Sequence, residues 1–303
     1  MRVAIIGAGV MGANIARALA GPGTEVALCS RTGATLHRAE CGLRADGVGG
    51  VSLGTSVADA CAGADVVIES VPESLSLKRS VLGEACVAAG PTAVVATNTS
   101  SLSVDELAAG LDHPERFLGW HWFNPAHLIP LVEVIPTALT APEAVTRSTA
   151  ILEAAGKRPA QAPAIDGFLV NRLQYALIRE ALSLVDAGLA SPTEIDAAVT
   201  GCLGPRWAVI GPMRSTDLAG IPTAVAVARA LYPGLSAADE PPPALTDLER
   251  AGRLGATAGR GFYDYPAGGS DAFAWRDRRL RAVLHALQED DRSVTAPRPR
   301  PGS

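Results

Sequence analysis

The sequence predicts an α/β protein with a doubly wound parallel sheet, followed by a smaller all-helical domain. Through the first half of the chain, short apolar runs typical of buried parallel strands alternate with segments of helical periodicity. After Pro163 the strand signals largely vanish and long amphipathic segments replace them. The chain has 303 residues, which is long enough for two domains. We therefore expect a first domain at residues 1–163.

Six apolar runs predict the strands of the sheet. Each is four or five residues long and almost wholly apolar, as expected of strands whose two faces are both covered by helices. In chain order they are residues 3–6, 26–29, 66–69, 93–97, 117–120 and 131–135. Helical patterns lie between several of them, for example at residues 75–87 and 104–109.

The second half of the chain is predicted to be helical. Amphipathic patterns cover residues 167–187, 192–200 and 222–231, whereas the acidic, proline-rich residues 236–243 predict a loop. From residue 288 the chain becomes polar and ends in alternating Pro and Arg residues. We therefore expect a helical second domain at residues 164–287 and a disordered tail at residues 288–303.

Composition limits the function classes. The chain carries 26 basic and 31 acidic residues, for a net charge of −5, which argues against nucleic acid or an anionic membrane as a partner. No apolar run approaches the ~18 residues that a membrane-spanning helix needs. The five cysteines are widely spaced and form no C-x-x-C motif, which argues against a disulfide framework and against a zinc site. We expect a cytoplasmic protein without a bound metal.

A glycine-rich loop, Gly7-Ala8-Gly9-Val10-Met11-Gly12, lies directly between the first strand and a helical pattern. In that context the spacing is typical of the Rossmann dinucleotide-binding domain. Gly7 permits a tight turn, Gly9 lets the backbone approach a pyrophosphate, and Gly12 lets the helix pack on the strand. We predict that this loop, including Met11, binds NAD(P). The alternative is a glycine turn that binds no ligand.

The end of the second strand indicates which dinucleotide is preferred. An NAD site usually carries an acidic residue there to hold the ribose hydroxyls, but this sequence has Ser30 and Arg31. A guanidinium can grip a 2′-phosphate, which a carboxylate would repel. We therefore expect NADP(H) to be preferred over NAD(H), the alternative being that Arg31 belongs to a solvated loop.

Three further stretches place polar side chains in apolar surroundings: residues 97–103, residues 121–125 together with Glu133, and residues 167–172. Ligands of open α/β sheets lie outside the carboxyl ends of the strands, where Ser100 and His121 are predicted to be. Imidazole is suited to proton transfer near neutral pH, and a neighbouring carboxylate raises its basicity and fixes its tautomer. The alternative for Ser100 is a helix cap.

Together these motifs resemble the 3-hydroxyacyl-CoA dehydrogenase family, and the likeness spans most of residues 1–265. It is carried by the glycine loop and by several ordered motifs: Val-Pro-Glu-Ser-Leu-Ser-Leu-Lys at residues 71–78, Asn-Thr-Ser-Ser-Leu at 98–102, His-x-x-Asn-Pro at 121–125, Leu-Val-Glu at 131–133 and Gly-Phe-Tyr at 261–263.

The resemblance implies an NAD(P)-dependent dehydrogenase that interconverts a 3-hydroxy and a 3-keto acyl or acid compound by hydride transfer. By that resemblance, His121 is the general acid/base, Glu133 orients its imidazole, and Ser100 and Asn171 bind the reacting oxygen. It further implies that four side chains lie along the cofactor, namely Glu73, Lys78, Asn98 and Asn124. It also implies a homodimer formed through the helical domain, with which the apolar pattern at residues 175–184 agrees.

The sequence departs from the family in one region. The CoA-using members carry a long lysine-rich helical segment after the second strand, whereas residues 31–65 contain no lysine. The motifs at residues 130–133 and 204–207 look more like the branch that acts on non-CoA hydroxy acids. We expect Arg206 to pair with a substrate carboxylate, the alternative being a salt bridge to an acidic side chain of the protein. Trp207 contacts substrate or is a packing residue.

Two further functions stay open at this point. One is a ketoreductase that acts on a carrier-protein-bound or polyketide ketone. The other is a catalytically idle nucleotide-binding sensor. The presence of His121 together with Glu133, Ser100 and Asn171 argues against the second, because a protein that only binds nucleotide has no need of an acid/base pair.

Overall fold

A computed structural model of the chain describes residues 1–290. The chain divides into two compact units, of which the first is Met1–Arg172 and the second begins at Leu173.

The first unit is built on an eight-stranded sheet with the strand order β3-β2-β1-β4-β5-β6-β7-β8. Strands β1 to β6 are mutually parallel, β7 pairs antiparallel with β6, and β8 pairs parallel with β7. The strands are β1 (Arg2–Ile6), β2 (Glu25–Cys29), β3 (Val51–Gly54), β4 (Val66–Glu69), β5 (Val94–Thr97), β6 (Phe117–Trp122), β7 (Leu131–Pro136) and β8 (Arg158–Gln161).

The predicted fold class is confirmed, with two corrections. The sheet is not wholly parallel, because β7 turns back beside β6 after a short connector. The sequence also missed β3 and β8, the two edge strands. Both are only half-buried, so neither shows the continuous apolar run of a central strand. Pro159 is tolerated in β8 because an edge strand can do without one ladder donor.

Helices cover both faces of this sheet. They are α1 (Val10–Leu19), α2 (Gly33–Ala45), α3 (Val57–Cys61), α4 (Leu75–Ala88), α5 (Val104–Ala108) and α6 (Pro142–Ala154). Side chains of β1 alternate between the two faces: Ile5 joins the apolar cluster that contains Ile15 of α1, whereas Ile6 joins the cluster that contains Cys61 of α3. The core of the unit therefore lies on both sides of the sheet.

The second unit is helical. Its helices are α7 (Val170–Asp186), which begins in the first unit, α8 (Pro192–Ala198), α9 (Gly204–Ala219), α10 (Ile221–Leu231), α11 (Pro243–Arg250) and α12 (Ser270–Asp290). A positive φ at Gly211, followed by Pro212, interrupts α9. Residues 236–242 are irregular, as predicted for the proline-rich segment.

The predicted tail begins too early, because α12 includes residues 288–290; residues 291–303 lie outside the described chain. Among the helices described for residues 1–290, none combines the length and the apolarity needed to cross a bilayer.

The connector between β6 and β7 is held by a buried lysine. Lys157 is 8% exposed, and its Nζ donates to the carbonyls of Ala126 (2.7 Å) and Ile129 (2.9 Å). The ammonium also lies 5.6 Å from the centre of the Trp122 ring, at the end of β6. Burial lowers the pKa of Lys157 to about 8.

This pKa predicts how stability changes with pH. Between pH 8 and the ordinary lysine pKa of about 10.4, the unfolded chain binds a proton that the folded chain does not, so the free energy of unfolding rises with pH. Lys157→Met removes this contribution. We expect the stability difference between wild type and Lys157→Met to grow by about 1–2 kcal/mol between pH 7.5 and 9.5 in urea unfolding. A difference independent of pH would contradict the assignment.

Candidate active site

The glycine loop has the form that a dinucleotide requires. Gly7 adopts φ +116°, and a Cβ there would lie 2.3 Å from the carbonyl oxygen of Ser70. A Cβ on Gly12 would lie 1.7 Å from the carbonyl oxygen of Gly7, so both positions exclude a side chain. A Cβ on Gly9 would meet no atom within 4 Å, because this glycine borders open space.

The start of α1 supplies the complement to a phosphate. Gly9 is its N-cap, no side chain of the described chain caps it, and its first turn contains no acidic residue. The first N–H groups are therefore left to a ligand, and the positive end of the helix dipole favours an anion there. The residues present thus fit a dinucleotide pyrophosphate.

This loop lines a cleft of about 630 Å³. Predicted cofactor residues that line it are Gly7, Gly9, Met11, Ser30, Arg31, Glu73 and Asn98, together with Ser100 from the predicted catalytic set. Gly12 lies behind the loop, where it packs against Gly7.

The end of β2 borders the same cleft. Ser30 and the exposed Arg31 are followed by Thr32, whose side-chain oxygen accepts a hydrogen bond from the Thr35 N–H at the start of α2. Within the described part of the chain, the only carboxylate among the lining residues is that of Glu73.

His121 and Glu133 are directly opposite each other in the antiparallel pair β6–β7. Nδ1 of His121 lies 2.8 Å from Oε2 of Glu133, and both side chains are almost completely buried. Since the carboxylate only accepts hydrogen bonds, Nδ1 is the donor and Nε2 of the neutral imidazole is left as an acceptor. The rings of Phe123 and Phe168, centred 4.4 and 5.2 Å away, flank the imidazole.

The second oxygen of Glu133 is held by the start of α7. Gly167 and Phe168 adopt positive φ values of 74° and 50°, and the turn directs the N–H groups of Leu169 and Val170 at Oε1, both at 3.0 Å. Burial opposes ionisation of Glu133, but the hydrogen bonds from His121, Val170 and Leu169 outweigh it and lower the pKa of the carboxyl group. Glu133 is therefore an anion beside the imidazole at neutral pH.

Ser100 and Asn171 meet on the other side of the imidazole. The hydroxyl of Ser100 lies 3.2 Å from Nε2 of His121, and the side-chain amide of Asn171 donates to the carbonyl oxygen of Ser100 at 3.1 Å. The helix-capping alternative for Ser100 does not apply, because the side chain of Ser103 caps α5. All four predicted catalytic residues are thus in one group.

Glu73 binds the loop that carries Ser100. Its Oε1 accepts hydrogen bonds from the Thr99 hydroxyl (2.5 Å) and from the N–H groups of Ser100 (2.9 Å) and Ser101 (3.0 Å). Although partial burial opposes ionisation, these bonds and the charge of Lys78 lower the pKa of Glu73 to about 2.

The structure places Lys78 away from the expected cofactor contact. Its side chain is 1% exposed, and its ammonium is ion-paired with Glu69 at 2.8 Å and with Glu73 at 3.2 Å. Lys78 is not among the residues that line the cleft. Its contact with the cleft is therefore indirect, through Glu73.

The two predicted asparagines have different surroundings. The side-chain oxygen of Asn98 accepts a hydrogen bond from the Trp122 N–H at 3.0 Å, which ties the end of β5 to β6. Asn124 precedes a cis-proline and accepts a hydrogen bond from the Asn14 amide at 3.4 Å.

The predicted substrate residues lie in the second unit, on α9. Arg206 is exposed, and its Nε donates to the carbonyl oxygen of Cys202 at 3.2 Å. Trp207 is also exposed.

Sequence reasoning missed two residues of the site, Glu69 and Asn14. Glu69 is a fully buried acid at the end of an otherwise apolar strand, and Asn14 is a polar residue on the buried side of α1. Both stand out as polar positions in apolar patterns, which is the signal that could have found them. No group of residues able to hold a metal ion occurs in the described chain.

Comparisons with known proteins identify the family of the chain. Residues 2–164 match the NAD binding domain of 3-hydroxyacyl-CoA dehydrogenase, and residues 167–265 match its C-terminal domain. The chain is 35% identical over 302 residues to 5-formyl-3-hydroxy-2-methylpyridine 4-carboxylate 5-dehydrogenase of Mesorhizobium japonicum, covering 94% of this chain and 98% of that protein. It is 34% identical to 3-hydroxybutyryl-CoA dehydrogenase of Bradyrhizobium diazoefficiens, covering 87% and 95%.

Solved structures give the same result. The crystal structure of the pyridine-carboxylate dehydrogenase, described as an NAD+-dependent dismutase, superposes with a TM-score of 0.89 and covers 95% of this chain and 98% of that one. The 3-hydroxyacyl-CoA dehydrogenase of Archaeoglobus fulgidus, at 32% identity, has a TM-score of 0.71 and covers 95% and 99%. The resemblance seen in the motifs is confirmed: the chain belongs to the 3-hydroxyacyl-CoA dehydrogenase family of NAD-dependent oxidoreductases.

Proposed function

We propose that this protein interconverts a 3-hydroxy and a 3-keto acid or acyl compound, with His121 as the general acid/base. The observation that carries the proposal is the geometry of the imidazole. Its Nδ1 lies 2.8 Å from a buried carboxylate, and its Nε2 lies 3.2 Å from the hydroxyl of Ser100, which lines the cofactor cleft.

The protein's own residues do the proton transfer. The nicotinamide, when bound, donates or accepts the hydride. In the oxidation direction, Nε2 of His121 accepts the proton of the substrate hydroxyl, and Glu133 stabilises the imidazolium that forms. In the reduction direction, Nε2 returns that proton to the developing alkoxide. Ser100 and Asn171 supply an O–H and an N–H donor that hold the reacting oxygen.

We propose a free acid as the substrate, not a CoA thioester. A single helix of 13 residues, α2, occupies the β2–β3 connection, and it contains no lysine. One of its arginines, Arg44, is paired with Glu40 at 2.6 Å. Little positive charge is therefore left there for the phosphates of CoA. The high similarity to a dehydrogenase named for a pyridine carboxylate agrees with a small carboxylate substrate.

We also propose that the cofactor is NADP(H) in preference to NAD(H). Ser30, Arg31, Thr32 and Thr35 border the cleft with hydroxyl and guanidinium donors, and the one carboxylate among the described lining residues, that of Glu73, is bonded to the loop that carries Ser100. A ribose 2′-phosphate is better matched to this set than two ribose hydroxyls are, because the donors favour a negative charge.

Finally, we propose a homodimer formed through the second unit. None of the described residues of α7 to α11 is buried, although these helices are rich in apolar side chains. Val209, Met213 and Leu218 on α9 are each 70% or more exposed. Apolar surface on this scale needs a covering partner.

The chemical assignment predicts the effect of two substitutions. His121→Ala removes the proton donor and should lower kcat by roughly 100-fold or more. Glu133→Gln should also lower kcat and alter its pH profile, because the imidazolium loses its charged partner. NADPH consumption should be followed with acetoacetyl-CoA, free 3-keto acids, formylpyridine carboxylates and aromatic polyketide ketones. Near-normal turnover by His121→Ala would exclude the role of His121.

The cofactor assignment predicts a reversal of preference. A charge-assisted hydrogen bond and a neutral one to the 2′-phosphate together give roughly 100-fold in favour of NADPH. The double change Ser30→Asp with Arg31→Ala should favour NADH, since a carboxylate accepts from the ribose hydroxyls and repels a 2′-phosphate. The measurement is kcat/KM for both cofactors with one working substrate. Equal values for the wild type would mean that Arg31 is only a solvated loop residue.

The assembly proposal predicts a mass in solution. Sedimentation at micromolar concentration should give about twice the chain mass of 31.0 kDa. A sharp boundary at the mass of one chain would rule out the dimer.

A further inference from the structure

A fully buried ion pair lies next to the catalytic group but has no part in the proton transfer. Glu69, at the end of β4, is 0% exposed, and Lys78, on α4, is 1% exposed. Nζ of Lys78 donates to both carboxylate oxygens of Glu69, at 2.8 and 3.0 Å. The same carboxylate accepts hydrogen bonds from the Val71 N–H at 2.6 Å and the Thr97 hydroxyl at 2.7 Å. Its hydrogen-bonding capacity is thus fully used.

Contacts continue from this pair to the imidazole. Nζ of Lys78 also lies 3.2 Å from Oε2 of Glu73, the carboxylate whose other oxygen binds Thr99, Ser100 and Ser101. Ser100 in turn lies 3.2 Å from Nε2 of His121. A continuous path of charge contacts and hydrogen bonds therefore joins Glu69 to the reacting nitrogen.

Stability alone does not account for such a pair. Burying two charges costs a desolvation free energy that their attraction often fails to recover, and apolar side chains of similar volume are frequently as stable. An apolar replacement of Glu69 and Lys78 would, however, provide no cation to bind the carboxylate of Glu73. The side chain of Glu73 is 35% exposed. Without Lys78, only its hydrogen bonds to residues 99–101 would restrain it.

We propose that Glu69 and Lys78 are positioning residues for Ser100. Glu69 neutralises and orients the ammonium of Lys78, Lys78 fixes one oxygen of Glu73, and the other oxygen fixes the Ser100 backbone so that its hydroxyl reaches His121. The proposal rests on the proposed function for its catalytic meaning. Its geometric content can be tested without a substrate.

The test uses a neutral replacement of the pair, Glu69→Gln with Lys78→Met. This variant leaves no unpaired buried charge, and the amide oxygen of Gln still accepts from the Val71 N–H. Nitrogen NMR of the imidazole ring reports the Nε2 hydrogen bond of His121, with His121→Gln identifying its signal among the five histidines. Ser100→Ala gives the signal of an imidazole that has lost this partner.

We expect the neutral pair to move the Nε2 signal of His121 in the same direction as Ser100→Ala does. Glu73→Gln removes the charge that Lys78 binds, at a partly exposed residue, and should move the signal in the same direction. This second variant keeps the proposal testable if the neutral pair does not fold. The matched control is Thr97→Val, which removes one hydrogen bond from Glu69 but keeps both charges, and should leave the signal near wild type.

Three results would overturn the proposal. The first is a wild-type Nε2 signal in the folded neutral pair or, where that variant does not fold, in Glu73→Gln. The second is a Thr97→Val signal displaced as far as that of the neutral pair, since the cause would then be general loosening of the core. The third is no displacement in Ser100→Ala, because there would then be no hydrogen bond to position.

Two further measurements separate positioning from direct cofactor binding. Fluorescence titration with NADPH and NADH should give the neutral pair a Kd within about twofold of wild type, while its kcat falls roughly 10-fold from misplacement of Ser100. In a Ser100→Ala background the neutral pair should cause no further loss of kcat, since the path already ends there. The path would be contradicted if the kcat losses of the neutral pair and of Ser100→Ala multiplied in the combined variant. It would also be contradicted if the neutral pair weakened cofactor binding but left the His121 signal unchanged. If no substrate is turned over, the proposed function fails, but the NMR result still stands.

Discussion

The antiparallel pairing of β6 with β7 is the constraint on which the site depends. In a wholly parallel sheet the residue beside His121 would come from a strand with the same direction, and a crossover helix would separate the two in sequence. Because β7 turns back, Glu133 faces His121 from twelve residues away in the chain, within one strand pair. The same reversal brings the carboxylate to the start of α7, whose N–H groups keep it ionised.

The two buried carboxylates of the site are accommodated in an apolar sheet because each of their oxygens accepts a hydrogen bond. Glu69 and Glu133 are almost completely buried, yet each carboxylate oxygen accepts at least one hydrogen bond. This matters because an unpaired buried charge would shift its pKa and become neutral. Under the proposed function, Glu133 stabilises an imidazolium and must stay anionic, a state that its two N–H donors support.

The sequence predicted the central strands, the glycine loop and the residues that lie together around His121, because these depend on local patterns and ordered motifs. The sequence-based prediction failed for features that depend on contacts between residues distant in the chain. The edge strand β8 has a polar sequence and forms only because β7 offers a free edge. Lys78 lies within a motif associated with the cofactor, but its partner Glu69 is nine residues away, and no spacing rule shows that the two charges meet in the core.

Under the proposed function, the division of the chain separates the reaction chemistry from substrate choice. The proposed acid/base residues, Asn171 and the described lining of the cleft belong to the unit Met1–Arg172, and both predicted substrate residues belong to the unit that begins at Leu173. The second unit can therefore change its side chains without altering the His121–Glu133 pair. That freedom agrees with relatives named for substrates as different as 3-hydroxybutyryl-CoA, L-carnitine and a pyridine carboxylate. The motifs of the first unit therefore identify the family, whereas under the proposed function the side chains of the second unit select the substrate.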